Sequence, residues 1–290
     1  MNTDHSQPRG RLKIGIQGVR ASFHDVAARE YFAEKHGDRD IETLEFSSFR
    51  SLCKALADSQ VEFILMAIEN SIAGSILPNY SLLERYEFRV IGEIYQRIVM
   101  NLMAVPGQKI QNLNFVQSHS MALLQCEDFL NQHPHLKVLE AADTAESAKD
   151  IKEKNLTGYS AIASELAAKV YGLEILERGI ESNKQNYTRF LVVSQKSVDS
   201  KEVDKASLRF EISHRPGSLL SILSSFTAHG INMTKLQSVP IIGRPYEYSF
   251  HVDLEWDDYD EYKRALSEIE MKSINLIHFG EYKKSRRPIL

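Results

Sequence analysis

Short runs of branched and aromatic residues recur along the first two thirds of the chain, separated by longer segments with helical spacing. Leu12 to Gln17, Ile41 to Phe46, Val61 to Ile68, Phe115 to Gln117, Val138 to Glu140 and Tyr159 to Ala163 have the length and apolar content of buried strands. Between the first two, Ser22 to Lys35 keeps Phe23, Val26, Ala27 and Phe32 on or near one side of a helix, with Ser22 placed to cap it. This alternation predicts parallel sheets, which bind ligands beyond the carboxyl ends of their strands. Gln17-Gly18, Glu69-Asn70-Ser71 and Ser118-His119 fall at such ends, so three strand ends converge on one predicted cleft.

After residue 193 the pattern changes. Ser194 to Lys205 alternates its charges without a large apolar face and reads as a linker. Beyond it the order is strand (Ala206 to Ser213), helix (Pro216 to His229), strand (Ile231 to Ser238), strand (Tyr246 to Leu254), helix (Asp258 to Glu268) and strand (Ile274 to Tyr282). That βαββαβ order predicts an α+β, ferredoxin-like domain. Pro216 is expected in the first helical turn, and Gly230 suits the left-handed residue that ends a helix.

A length of 290 residues fits two cores rather than one. The 35 Lys and Arg against 39 Asp and Glu give a net charge of −4, which argues against the wrapped basic surface of a nucleic-acid binder and leaves room for a locally positive pocket. The basic run Lys283-Lys284-Ser285-Arg286-Arg287 reads as a solvated end. Cys53 and Cys126 stand too far apart for a Cys-x-x-Cys site or a disulfide framework, and a reducing compartment is expected. The start, Met1 to Lys13, is polar, and the longest apolar run, Phe63 to Ile68, is far short of the ~20 residues that span a bilayer, so no membrane partner and a cytoplasmic location are expected. Gly15 and Gly18 lack the third glycine of a dinucleotide fingerprint, and the ten histidines form no His-Glu-x-x-His pattern. Neither a cofactor nor a metal is expected.

Four segments occur in a telling order: Glu69-Asn70-Ser71-Ile72-Ala73-Gly74-Ser75-Ile76, Ser118-His119, Asn186-Tyr187-Thr188-Arg189-Phe190, and His214-Arg215-Pro216-Gly217-Ser218-Leu219. Together they resemble a prephenate dehydratase with a C-terminal ACT domain, over nearly the whole chain. The resemblance implies an α/β two-lobed catalytic domain of the type II periplasmic-binding-protein kind over residues 11–193, with crossings between lobes near 105 and 180. A linker over 194–205 and an ACT regulatory domain over 206–283 follow. No helical chorismate mutase segment stands ahead of the match, so the expectation is a monofunctional enzyme.

The family reaction removes carbon dioxide and the ring hydroxyl from prephenate, leaving phenylpyruvate. By resemblance, Thr188 donates a hydrogen bond to the departing oxygen. Its pKa is far too high for efficient proton donation, so positioned stabilisation is the role. Glu69, Asn70, Ser71, Ser118, His119, Gln125 and Arg189 are assigned to prephenate. Asn70 and Ser71 offer neutral donors to carboxylates, and Ser118 is expected to cap a helix over 119–130. His119 is either a general acid, since an unperturbed imidazole titrates near 6.5, or a structural group. Arg189 is either a bidentate carboxylate ligand or an interlobe ion-pair residue.

The first loop departs from the family's Gly-Thr-Phe-Ser. Here it is Ala21-Ser22-Phe23-His24, where Ala21 narrows the allowed backbone, and Arg20 and His24 either add positive charge at the cleft or face water. The ACT resemblance assigns Gly217, Ser218, Leu219, Asn232 and Ser238 to L-phenylalanine. Gln237-Ser238-Val239-Pro240 lacks both charges of the family's Glu-Ser-Arg-Pro, which predicts a weakened effector response. Pairing through sheet edges predicts a homodimer or homotetramer. Arogenate dehydration and a non-enzymatic amino-acid or keto-acid sensor are the alternatives.

Overall fold

The computed structural model describes residues 11–36, 40–197, 202–241 and 243–288. Its first sheet starts with β1 (Leu12–Gln17), α1 (Phe23–His36), β2 (Ile41–Phe46), α2 (Phe49–Ala57) and β3 (Phe63–Asn70). β1 lies parallel to both β2 and β3. Leu12, Ile14, Ile16 and Ile64 to Ile68 are buried, which is why these runs read as strands. Ser22 caps α1 by accepting from the Asp25 N–H, although at a long 3.4 Å. A short β4 (Gly74–Ser75) folds back antiparallel on β3, and α3 (Leu77–Tyr86) and β5 (Arg89–Arg97) follow.

The chain then builds a second sheet from β6 (Asn101–Ala104), β7 (Phe115–His119), α4 (Ser120–Gln125), α5 (Glu127–Gln132), β8 (Lys137–Ala141), α6 (Thr144–Glu153), β9 (Tyr159–Ala163), α7 (Glu165–Tyr171) and β10 (Glu174–Glu177). It returns to the first sheet as β11 (Tyr187–Ser194). The strand orders are β2-β1-β3-β11-β5, with β4 on β3, and β10-β6-β9-β7-β8. The first crossing occupies 98–100, ahead of the expected position near 105, because Asn101–Ala104 is already a strand of the second sheet. The return occupies 178–186. Apolar clusters around Leu102, Val116 and Ile162 and around Met103, Ala148 and Ala161 form the core of the second sheet.

The third sheet contains β12 (Lys205–Glu211), α8 (Ser218–Ala228), β13 (Asn232–Pro240), β14 (Tyr248–Glu255), α9 (Tyr259–Lys272) and β15 (Asn275–Tyr282), in the antiparallel order β13-β14-β12-β15. The βαββαβ plan is present. Two local expectations change. Pro216 lies outside α8, which starts at Ser218 behind Gly217 at φ 85, and both ends of the expected linker, Ser194 and Lys205, are strand residues. Residues 198–201 of that linker lie outside the described residues.

Alternation along β12 and β14 gives this sheet two different faces. Ala206, Leu208, Phe210, Val252 and Leu254 join the core with Ile222 and Phe226 of α8 and Tyr262 and Ile269 of α9. Lys205, Ser207, Arg209 and Glu211, with His251, Asp253 and Glu255, take the other face and are buried as well. Residues 76–93 supply their partners: Lys205 Nζ lies 2.9 Å from Glu93 of β5, Arg209 Nε 3.2 Å from Glu84 of α3, and the His251 ring 4.6 Å from Tyr80. Accordingly, one compact unit takes the described residues of 1–75, 94–190 and 287–290, and the other those of 76–93 and 191–286. The sequence boundary at 193 missed this. The basic tail is also tied down, with the Ser285 N–H donating to Glu93 and Lys283 paired with Asp204 at 2.8 Å.

Candidate active site

Asn70 ends β3, and the following turn fixes its side chain. Its Oδ1 accepts from the N–H groups of Ile72 and Ala73, both at 2.9 Å, and its Nδ2 donates to Asn186 Oδ1 at 2.8 Å and to Thr188 Oγ1 at 3.0 Å. Asn186 is fully buried on the return crossing and donates in turn to Gln125 Oε1, 2.8 Å away at the end of α4. One chain of hydrogen bonds therefore runs from the first sheet to the helix that follows β7 in the second. Thr188 is buried near the start of β11. Sequence reasoning quoted Asn186 within its motif but gave it no role, because a buried amide on a loop leaves no periodic signal.

Several other expectations change. Ser118 is no cap: it is fully buried and donates to the Ile162 carbonyl at 2.6 Å, locking β7 to β9. His119 is the cap, its Nδ1 accepting from the Met121 N–H at 3.2 Å, which places the ring proton of the neutral form on Nε2. The expected helix over 119–130 breaks at Cys126 into α4 and α5. Ser71 does not offer its hydroxyl to a ligand, since it donates to the Gln185 carbonyl at 2.8 Å and accepts from the Tyr187 N–H. Glu69 is half-buried and paired with β4. Arg189 is buried with its guanidinium over the Tyr95 ring, and strand alternation turns it to the face opposite Thr188.

The first loop closes against the second sheet. Ala21 adopts φ 68, the left-handed region that an alanine enters at a cost of about 1–2 kcal/mol. Among the contacts that hold the loop, Ala21 N–H donates to Asp25, Ser164 Oγ to the Ala21 carbonyl at 2.7 Å, and Tyr171 to the Arg20 carbonyl at 2.9 Å. His24 brings no positive charge. Its ring packs edge-on to Phe190 at 4.8 Å, its Nε2 is enclosed without a partner, and burial pushes its pKa down to about 4.

Across from the loop, Asp143 caps α6 by accepting from Ala145 and Glu146, and burial raises its carboxyl pKa. Gly18, at φ 95, comes so close that a Cβ there would lie 2.8 Å from Asp143 Oδ2. Burial also pushes the thiols of Cys53 and Cys126 up to about 12, so neither is a nucleophile near neutrality. Among the described residues no group of His, Cys, Asp and Glu is arranged to hold a metal ion, and no helix is long and apolar enough to cross a membrane.

A separate pocket of about 540 Å³ opens beside the N-terminus of α8, lined among others by Arg215, Gly217, Leu219, Tyr246, Glu247 and Phe250. Ser218 bonds to Ser213 at 2.9 Å, and Asn232 and Ser238, on β13, do not line the pocket.

A family profile for prephenate dehydratase matches residues 14–198. The chain is 33% identical over 286 residues to arogenate dehydratase/prephenate dehydratase 2 of Arabidopsis thaliana, covering 94% of this chain and 73% of that one. Among solved structures it superposes on GqqA, described as a novel type of quorum-quenching acylase, with TM-score 0.84 and 28% identity over 94% of this chain and 98% of that one. It superposes equally, at TM-score 0.84, on a prephenate dehydratase from Arthrobacter aurescens in complex with L-Phe, at 23% identity over 96% and 92% of the two chains.

Proposed function

Because the chain belongs to the prephenate dehydratase family, we propose that it converts prephenate to phenylpyruvate in phenylalanine biosynthesis. The bond between ring and carboxylate breaks to release carbon dioxide, and its electron pair completes the aromatic ring. The C–O bond at the opposite ring carbon breaks, and the departing hydroxide takes up a proton as water. Aromatisation supplies the driving force, so the protein has to hold a dianion and stabilise charge on the leaving oxygen.

The observation that carries this reading is the buried Thr188 hydroxyl, which accepts from Asn70 and so keeps its own hydrogen for a ligand oxygen. Acyl hydrolysis, the activity attached to GqqA, needs an activated side-chain nucleophile beside a base when it runs through a covalent acyl-enzyme. Ser71 and Ser118 spend their hydroxyls on carbonyls, and Thr188 bonds to an amide. That arrangement favours dehydration. Gln125 joins the same hydrogen-bonded cluster through Asn186, and whether arogenate also serves is a matter of the group at the keto position.

We read the βαββαβ sheet as an ACT domain and its pocket as the L-phenylalanine site, supported by Gly217 and Leu219 on its wall and by the L-Phe complex of the Arthrobacter protein. Pairing through the edge strands β13 and β15 into a homodimer or homotetramer belongs to this reading, as does a cytosolic location. The test is an assay of purified protein with prephenate, followed at the phenylpyruvate absorbance with and without phenylalanine and repeated with Thr188→Ala. The variant is expected to lose about 10²–10³ in kcat, the loss typical of removing one positioned donor. A variant as fast as its parent would remove Thr188 from the mechanism.

A further inference from the structure

The direction of a side-chain amide is set by what it must donate to and accept from. At Asn70 the backbone decides. The N–H groups of Ile72 and Ala73 can only donate, so they fix Oδ1 on their side and turn Nδ2 toward Asn186 and Thr188. Each later direction is then forced. Asn186 must meet Asn70 with Oδ1, which leaves its Nδ2 to donate to Gln125 Oε1. Gln125 must turn its own Nε2 away from Asn186, and Thr188, already accepting, must aim its hydrogen elsewhere. Neither that nitrogen nor that hydrogen has a partner among the described residues.

We infer that Asn186 is a positioning residue at the centre of an amide relay, started by the 70–73 turn, that presents the Gln125 amide and the Thr188 hydroxyl as two outward donors to a bound anion. The inference rests on reading this cleft as the substrate site. Asn186 is fully buried, so reversing one link would set two donors or two acceptors face to face without water to relieve them, a penalty that buried polar groups avoid. The two donors come from different elements, one from β11 of the first sheet and one from α4 after β7 of the second. Neutral donors are well suited to an oxygen-rich dianion, because they orient it without holding it as tightly as a charge would.

Neutron diffraction from the deuterium-exchanged full chain, with no ligand added, reads the relay directly. The expected map shows deuterons on Asn70 Nδ2 toward Asn186, on Asn186 Nδ2 toward Gln125, and on Gln125 Nε2 facing away from Asn186. A reversed Gln125 amide would overturn the inference, whatever the protein does with prephenate. Kinetics give a second reading. Asn186→Asp offers Gln125 only acceptors, so that amide reverses and shows the cleft its oxygen; KM for prephenate is expected to rise about tenfold, more than kcat changes. Asn70→Asp takes the donor from Thr188, and there kcat is expected to fall about tenfold or more.

Both aspartates regain a donor when protonated, so the losses should shrink as pH falls from 8 to 5 after subtraction of the uncatalysed rate. In a Gln125→Leu background, Asn186→Asp should add no further rise in KM. A second rise of the same size would assign the effect to charge and overturn the relay. An inactive parent with the expected deuterons would instead sink the prephenate reading and leave the relay standing.

Discussion

Gly18 shows what a missing side chain can do. At φ 95 and with Asp143 Oδ2 where a Cβ would go, it lets the end of β1 approach the N-terminus of α6 more closely than any other residue could. Asp143 has little freedom to retreat, since its Oδ1 holds Ala145 at 2.7 Å and Glu146 at 3.2 Å. Gly18→Ala is therefore expected to lower stability by about 1–3 kcal/mol, the cost of a forced backbone conformation, which a denaturant midpoint measures. Unchanged stability would mean that the loop relaxes freely. At this scale the motif pointed to Asn70 but not to its partners, since its amide donates to Asn186 and Thr188 instead of offering a donor to a carboxylate, and the sequence was misleading where two polar neighbours compete for one role. Ser118 and His119 both suit a helix cap, and only the Ile162 carbonyl, 44 residues away, takes Ser118 out of contention. Asp143 gave a local signal, an Asp ahead of Thr-Ala-Glu, yet its approach to Gly18 depends on the second sheet.

Helices α8 and α9 are joined at their exposed ends by His229, which touches Glu261 at 2.7 Å and Glu268 at 3.0 Å. Hydrogen bonds to the two glutamates raise the His229 pKa above its ordinary 6.5, so the folded chain holds a proton that the unfolded chain releases first. The contribution is complete below about pH 6.5 and is lost as pH rises through the raised value. Glu268, lowered to about 2 chiefly by the same histidine, works in the other direction: its share is present above its ordinary 4.5 and is lost as pH falls toward 2. The melting temperature is expected to decline on raising the pH from 6.5, and His229→Gln to flatten that slope; equal slopes would exclude the clamp. Element existence was legible wherever apolar runs and burial agree, as in β1, β3 and β9. It failed at β5, where Arg-Val-Ile-Gly-Glu-Ile is apolar on no regular period because Glu93 is buried against Lys205, and at β6, whose four residues are too few to show a period.

At the scale of the whole molecule, the polar face of the third sheet is held by residues more than a hundred positions upstream. Lys205 Nζ sits between Glu93 at 2.9 Å and Glu255 at 3.3 Å, and the side chains of Lys205 and Glu93 are each only 1% exposed. Lys205→Met fills the same space but leaves Glu93 buried without this cation, and is expected to cost about 3–5 kcal/mol in unfolding experiments. A cost below about 1 kcal/mol would show that water reaches the carboxylate. His251, which packs on Tyr80 and is pushed down to about 3 by burial and then by Arg209, stays neutral in the same layer. The seam between the modules therefore lies at no single codon. Because residues 76–93 are written inside the N-terminal coding region but folded with the C-terminal sheet, a gene stopped after position 195 would strand Glu84 and Glu93 without their cations. Shuffling the C-terminal module onto a foreign partner would need this eighteen-residue stretch to travel with it.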